Sequence, residues 1–362
     1  MESLRLADIS HFLELTGSSE NIVITSHIKP DGDAAGSSLA LCRFLEREGH
    51  KVSVILPHHL PEYLQFICRE GFSYAEDDLA QASKKIDGAD LIICLDFNTF
   101  SRAGAIGDKL AAANCRKILI DHHLNPDREA FDLCFSETQV SSTCELLYRI
   151  LLALPAVGGD PRKLPKESAE ALMCGMTTDT NNFANSVFPG TLSMASGLLE
   201  AGVDRDAIIG HIYNEYRENR VRAMARLLAD MKITPEGVAI MVLDKGTQDS
   251  LDIREGETEG FVNIPLSIKD VKISIFARED GPLFRVSVRS KRGWSANSMA
   301  IRFFHGGGHE QAAGGRILIP EDIAGPQEAG VYVCRFGVAL LVAVHAALRR
   351  AYHSHNPASR LR

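Results

Sequence analysis

The sequence has no basic excess: Lys and Arg number 39 against 47 Asp and Glu, a formal charge of −8. Coating long duplex nucleic acid needs a broad basic surface, so that class of partner is excluded from the expectation. A small anionic substrate in a locally positive pocket stays open. None of the eight cysteines forms a CxxC pair, so a zinc ribbon or thioredoxin-like site has no support. Cys94 in LIICLDF and Cys174 in ALMCGM sit in apolar runs and read as small core residues. A chain of 362 residues needs no disulfides, so a reducing cytoplasm is expected. The sequence also lacks an uninterrupted apolar run of about 18 residues. The stretch 331–347 comes nearest, but it holds Arg335 and His345 and reads as a packed terminal helix. The N-terminal MESLRLADISHFLEL is amphipathic and lacks a signal-peptide pattern. No membrane partner is expected, and no internal repeat or low-complexity tract is present.

What is there suits a globular chain of about two domains, at roughly 150 residues each. Hydrophobic residues make up 45% and charged residues 24%, enough apolar material for a large core. Asn21–Thr25, Lys51–Leu56, Asp90–Leu95 and Lys117–Ile120 are short β-rich runs, separated by helical patterns such as 36–48. Alternating strands and helices predict an α/β fold with a doubly wound, mostly parallel sheet. The 191–231 stretch reads as a helical connector. Period-two alternation over 237–243, 271–276 and 283–289 predicts a smaller second α/β domain.

The polar residues fall at the strand ends. The first strand runs into His27, Asp31 and Asp33, the strand from Asp90 into Asp96, and the strand from Lys117 into Asp121, His122 and His123. Ligands of open α/β sheets bind at that carboxyl edge. Asp31 and Asp33, two apart around Gly32, repel unless a cation lies between them. Asp179, within TTDT (177–180), brings the set to four carboxylates and two imidazoles. Oxygen and nitrogen donors without thiolate suit Mn²⁺, with Mg²⁺ as the alternative. Six ligands exceed what one open ion takes, and suit two ions roughly 3.5–4 Å apart sharing a carboxylate. Such a pair generates a hydroxide nucleophile and clamps a phosphoryl oxygen. An isolated Asp after a strand is more often a helix cap than a ligand; convergence from successive strand ends outweighs that. Asp121 is expected to orient His122 or its loop without binding metal. His123 is expected to face the substrate phosphate.

A second cluster is Gly306-Gly307-Gly308-His309, read as leading into an Ala-rich helical start. Glycines and a helix N-terminus let backbone amides approach an anion, although no GK[ST] follows and a plain loop competes. Arg285, Ser287 and Arg289 share one strand face opposite Val286 and Val288. A solvated face competes there with a phosphate or carboxylate cradle.

Together these motifs resemble the DHH-family phosphoesterases that carry a DHH-associated C-terminal domain. The resemblance covers roughly residues 10–320. It rests on SHIKPDGDAAGS (26–37), LDF with Asp96, the triplet Asp121-His122-His123, TTDT with Asp179, and GGGHEQAAGG (306–315). It is nearest the oligoribonuclease and 3′-phosphoadenosine 5′-phosphate phosphatase type, whose bacterial members are often described as exopolyphosphatase-related. The resemblance implies one metal on His27, Asp31 and Asp96, and a second on Asp33, Asp96, His122 and Asp179, with Asp96 bridging. It implies catalytic roles around Asp96, Asp121 and His123. Arg289, Gly307, Gly308 and His309 would bind substrate, with Ser287 and Gly306 beside them. The expected organisation is a metal-binding domain over 1–190, the connector over 191–231, a substrate-binding domain over 232–325 and a partly helical tail over 326–362. The expected active site is the cleft between domains. Asn181-Asn182-Phe183-Ala184-Asn185 and Thr99 depart from the family pattern.

The expected activity is metal-dependent hydrolysis of phosphate esters in short single-stranded RNA or DNA, or in a nucleoside 3′,5′-bisphosphate. Three readings compete: an exopolyphosphatase or inorganic pyrophosphatase, a hydrolase of pApA or cyclic dinucleotides, and a non-catalytic nucleotide-binding protein. The last normally has a lost ligand, and all six positions are filled. A homodimer stays open.

Overall fold

In the computed structural model, which describes residues 5–67 and 71–337, the apolar runs of the N-terminal half become strands. They are β1 (Asn21–Thr25), β2 (Lys51–Leu56), β3 (Phe72–Tyr74), β4 (Leu91–Leu95), β5 (Arg116–Asp121) and β6 (Leu133–Ser136). All pair in parallel, in the order β3-β2-β1-β4-β5-β6. The chain builds outward from β1 to β3, then returns to β4 and builds the other way. The order therefore reverses between β1 and β4, which opens a crevice at their carboxyl ends.

Both faces of this sheet are covered, so its central strands show continuous rather than alternating apolarity. Ile22, Ile24, Ile93, Leu95, Ile118 and Ile120 face one core layer. That layer draws on the helices α1 (Leu6–Gly17), α2 (Gly32–Arg47), α5 (Thr143–Ala153), α6 (Lys166–Asp179) and α7 (Pro189–Glu200). The intervening Val23, Ile92, Cys94 and Leu119 face the other layer, with α3 (Leu79–Asp87) and α4 (Gly107–Ala112).

Helices α2 and α6 meet through glycine. A Cβ on Gly36 would lie 2.5 Å from the Ala171 carbonyl oxygen, and one on Gly175 3.0 Å from that of Gly32. This backbone-to-backbone contact brings the end of α6, at Asp179, to the start of α2, which carries Asp31 and Asp33.

The chain divides into two units between Glu215 and Tyr216. Within the expected connector, α7 lies in the first unit and the helix Glu218–Ala229 in the second. The second unit is built on β7 (Lys232–Ile233), β8 (Val238–Leu243), β9 (Ile273–Asp280), β10 (Leu283–Ser290), β11 (Gly307–Gly308) and β12 (Ala312–Leu318). They form a mixed sheet ordered β11-β12-β10-β9-β8-β7, parallel between β8 and β9 and antiparallel elsewhere. Phe284, Val286 and Val288 of β10 pack with Met299 and Ala300 of the helix Ala296–Phe303.

One local expectation is corrected. The Ala-rich segment after His309 is strand β12, not the start of a helix. It pairs with β10 residue for residue, from Ala312 opposite Arg289 to Leu318 opposite Leu283. Gly314 and Gly315 cost a helix about 1 kcal/mol each relative to alanine. They serve close approach instead: a Cβ on Gly306 would overlap the Gly314 carbonyl. No helix N-terminus therefore stands behind His309.

Cys42, Cys94, Cys144 and Cys174 are buried, and the seven cysteines among the described residues form no disulfide; Cys68 lies outside them. The expected terminal helix is helical over 331–337, and its remainder lies outside the described residues. Among the described residues, no helix is long and apolar enough to cross a membrane.

Candidate metal centre

Neighbouring strands β1, β4 and β5 deliver His27, Asp96 and the Asp121-His122-His123 triplet to the crevice where strand order reverses. Their ends are tied together. Ser26 Oγ donates to the Leu95 carbonyl at 2.8 Å, and the Asp96 amide donates to the Ile120 carbonyl at 3.1 Å. Asp96 itself turns into the left-handed region at φ +63°, a conformation that costs a non-glycine residue on the order of 1 kcal/mol.

Asp31 caps α2, with Oδ1 accepting from the amides of Asp33 (3.0 Å) and Ala34 (3.1 Å). Buried Asp33 accepts from the Thr143 amide at 2.7 Å and the Cys144 amide at 2.9 Å. These are the first two residues of α5, where helix amides lack intrahelical acceptors and favour a negative group. Thr143 Oγ1 also donates to Asp96 Oδ1 at 3.1 Å. The opening of α5 therefore grips two carboxylates.

The donor atoms converge in two sets. His27 Nε2 lies 3.3 Å from Asp96 Oδ2 and 3.9 Å from Asp31 Oδ1. His122 Nε2 lies 3.6 Å from Asp96 Oδ1, 3.6 Å from Asp179 Oδ2 and 3.9 Å from Asp33 Oδ2. Asp96 faces one set with each oxygen. Atoms about 2.1 Å from a shared ion stand about 3–3.5 Å apart, so these separations suit ligation better than direct hydrogen bonding. His27 Nε2 is buried and makes no hydrogen bond, while Nδ1 lies 2.8 Å from the Ile28 carbonyl. A donor N–H at Nδ1 leaves the Nε2 lone pair for a ligand role. The residues present thus fit divalent metal ions.

The electrostatics of the metal-free protein agree. Burial depresses the His27 pKa, but the close approach of the Asp96 carboxylate and the charges of Asp31 and Asp96 outweigh it and raise the value to about 9. Burial raises the Asp33 pKa well above the usual carboxylate range, and Asp96 and Asp31 push it further against the Cys144 contacts. Burial also works against an ionised Asp96, yet His27, His123 and His122 hold its pKa down. Burial lowers that of His122, opposed by Asp96. Protons on His27 and Asp33 relieve the repulsion that cations would relieve.

Asp121 Oδ1 lies 2.7 Å from Nδ1 of His123, in the loop that follows β5. His123 Nδ1 is also 3.7 Å from Asp96 Oδ1.

The remaining candidates belong to the second unit. Ser287 and Arg289 are half-buried on β10, and Arg289 Nη1 donates to the Val288 carbonyl at 3.0 Å. Arg285 is exposed and pairs with Asp280. Gly306 precedes β11, which comprises Gly307 and Gly308; the Gly308 amide donates to Asn297 Oδ1 at 2.9 Å. The His309 amide donates to the Ala312 carbonyl at 2.8 Å. Thr143, Cys144 and Asn297 were not anticipated. For the first two a signal existed: Ser142 and Glu145 have the spacing of a capping box, which marks a helix start.

The DHH family N-terminal domain matches residues 21–176 and the DHHA1 domain matches residues 236–324. A solved exopolyphosphatase-related protein from Bacteroides fragilis is 37% identical, with a TM-score of 0.87 over 96% of this chain and 99% of that one. The bifunctional oligoribonuclease and PAP phosphatase NrnA of Bacillus subtilis is 28% identical, over 82% of this chain and 90% of its own. The protein of the same name from Thermus thermophilus is 26% identical, over 82% and 84%.

Proposed function

The chain belongs to the DHH family of phosphoesterases, and on that premise we propose that it hydrolyses short single-stranded oligonucleotides or nucleoside 3′,5′-bisphosphates. The observation that carries the reading is the convergence of six donor side chains in two sets, with His27 facing one oxygen of Asp96 and His122 the other. The names of the relatives, oligoribonuclease and PAP phosphatase, supply the substrate class.

In this proposal His27, Asp31 and Asp96 hold one ion, and Asp33, Asp96, His122 and Asp179 hold the other, with Mn²⁺ preferred and Mg²⁺ the alternative. When bound, the ions supply Lewis acidity and an activated water. His123, held through Nδ1 by Asp121, presents its other nitrogen to the phosphoryl oxygens, where charge develops. The opening amides of α5 hold Asp33 in register with Asp96. Residues 232–325 take the distal part of the substrate through Arg289, Ser287, Gly306, Gly307, Gly308 and His309. Anchoring both ends of a substrate favours short chains over long ones.

The test is turnover with Mn²⁺ on short RNA, a nucleoside 3′,5′-bisphosphate, pApA and pyrophosphate, beside Asp96→Ala and Arg289→Ala. Asp96→Ala should abolish turnover. Arg289→Ala should raise KM or lower kcat on nucleotides while leaving metal binding intact. Fast pyrophosphate cleavage without action on nucleotides would sink the nuclease reading.

A further inference from the structure

We infer that Glu145 is a positioning residue for the metal centre: it fixes the opening of α5, which grips Asp33 and Asp96, to the return of the segment that leaves Asp179. The inference rests on the metal reading above and deepens it.

Glu145 is fully buried, a costly place for a carboxyl group unless every oxygen is satisfied. Its Oε2 accepts from the Ser141 amide (2.8 Å), the Ser141 hydroxyl (2.7 Å) and the Thr191 hydroxyl (2.7 Å). Its Oε1 pairs with Arg149. An ordinary capping box needs much less. There, the glutamate returns to the amide of the cap residue at the surface. Here the cap is Ser142, whose hydroxyl accepts from the Glu145 amide at 3.0 Å. The Glu145 carboxylate passes over Ser142, takes both donors of Ser141, and adds Thr191 from α7. A group serving α5 alone would need neither burial nor Thr191.

The partners on either side give the arrangement its meaning. Thr143 and Cys144, the residues just before Glu145, donate to Asp33 and Asp96. Thr191 Oγ1 also accepts from the Phe188 amide at 3.0 Å, which sets the start of α7. A Cβ on Gly190 would lie 2.5 Å from Glu145 Oε1, so the returning backbone rests on the carboxylate. The segment between Asp179 and that point is strained. Asn181, Asn182 and Phe183 stand consecutively at φ +46°, +56° and +66°. Its near end is anchored by the Asn182 amide on the Thr177 carbonyl (2.8 Å) and the Phe183 amide on Thr180 Oγ1 (3.0 Å). Glu145 and Thr191 anchor its far end. One carboxylate thus couples the grip on Asp33 and Asp96 to the path of the chain beyond Asp179.

The test measures Mn²⁺ affinity of the full chain by calorimetry and melting of the metal-free protein, for wild type, Glu145→Gln, Thr191→Val, Thr191→Ser, Thr16→Val and Asp96→Ala. Glu145→Gln should weaken Mn²⁺ binding about 10- to 100-fold, the scale for residues that orient metal ligands. Thr191→Val should weaken it about 10-fold, and Thr191→Ser, which restores the hydroxyl, should recover it. Thr16→Val removes a buried hydroxyl bond to the Phe12 carbonyl in α1 and should bind Mn²⁺ like wild type. If Glu145→Gln does not fold, the Thr191 pair decides. Wild-type affinity in Thr191→Val, with binding lost in Asp96→Ala, overturns the inference and leaves the metal reading standing. Equal weakening in Thr191→Val and Thr16→Val also overturns it, because loss of stability then explains the effect. Wild-type affinity in Asp96→Ala brings down both.

Discussion

Mn²⁺ entering the centre at pH 7 should expel protons. Metal ligands must be deprotonated, and without metal the pKa values of two candidate ligands, His27 and Asp33, are raised. With its pKa raised to about 9, His27 carries its proton in about 99% of molecules at pH 7. It therefore contributes about one released proton. Asp33, whose pKa burial and its carboxylate neighbours push well above the usual range, contributes toward a second. The direction follows from the raised values: the proton favours the metal-free form, so rising pH favours binding. Two pH units separate pH 7 from His27's value, so its proton weakens apparent affinity about 100-fold, or about 2.7 kcal/mol at 1.36 per unit. The assay is calorimetric titration with Mn²⁺ at pH 7 in buffers of different ionisation enthalpy. The slope of observed enthalpy against buffer enthalpy counts the protons. It should give between one and two for full occupancy, and His27→Asn should remove one. Tight binding with zero slope, or an unchanged slope in His27→Asn, would refute the reasoning.

Three further outcomes are expected. Gly36→Ala forces a Cβ toward the Ala171 carbonyl and should cost about 1–3 kcal/mol, read by chemical denaturation, with weaker Mn²⁺ binding as Asp179 shifts. Asp121→Asn should lower kcat with little change in Mn²⁺ affinity, because Asp121 acts on His123; equal loss of both would contradict that division. In chelator, His27 should stabilise the fold fully below about pH 6.5, and that contribution should vanish as pH rises through about 9, measured by melting temperature. His27→Asn should flatten that pH dependence.

The parallel sheet is legible in the sequence because strands buried on both faces, such as Leu91–Leu95, leave uninterrupted apolar runs. The convergence of His27, Asp96 and His122 is legible for a related reason: each lies within two residues of the end of such a strand. Other parts leave weaker traces. β3 has three half-buried residues, too few to show a period. β12 is rich in Ala and Gly, and its pairing with β10 decides its conformation, which local propensity cannot report. The grip on Asp33 comes from backbone amides at 143 and 144, and any residue except proline supplies an amide. Burial of Glu145 depends on Thr191, 46 positions away.

Contact between α2 and α6 through glycine has a mechanical consequence. Side chains in a core can change rotamer and absorb a misfit, whereas peptide groups pressed together cannot. The spacing of Asp33 and Asp179 is therefore set by the thickness of two backbones at Gly32, Gly36 and Gly175. A mutation elsewhere in the core can be taken up by neighbouring side chains before it reaches the ligands. Tolerance to ion radius should accordingly be narrow across this pair. It should be wider toward Asp31, whose side chain is 54% exposed and free of such packing.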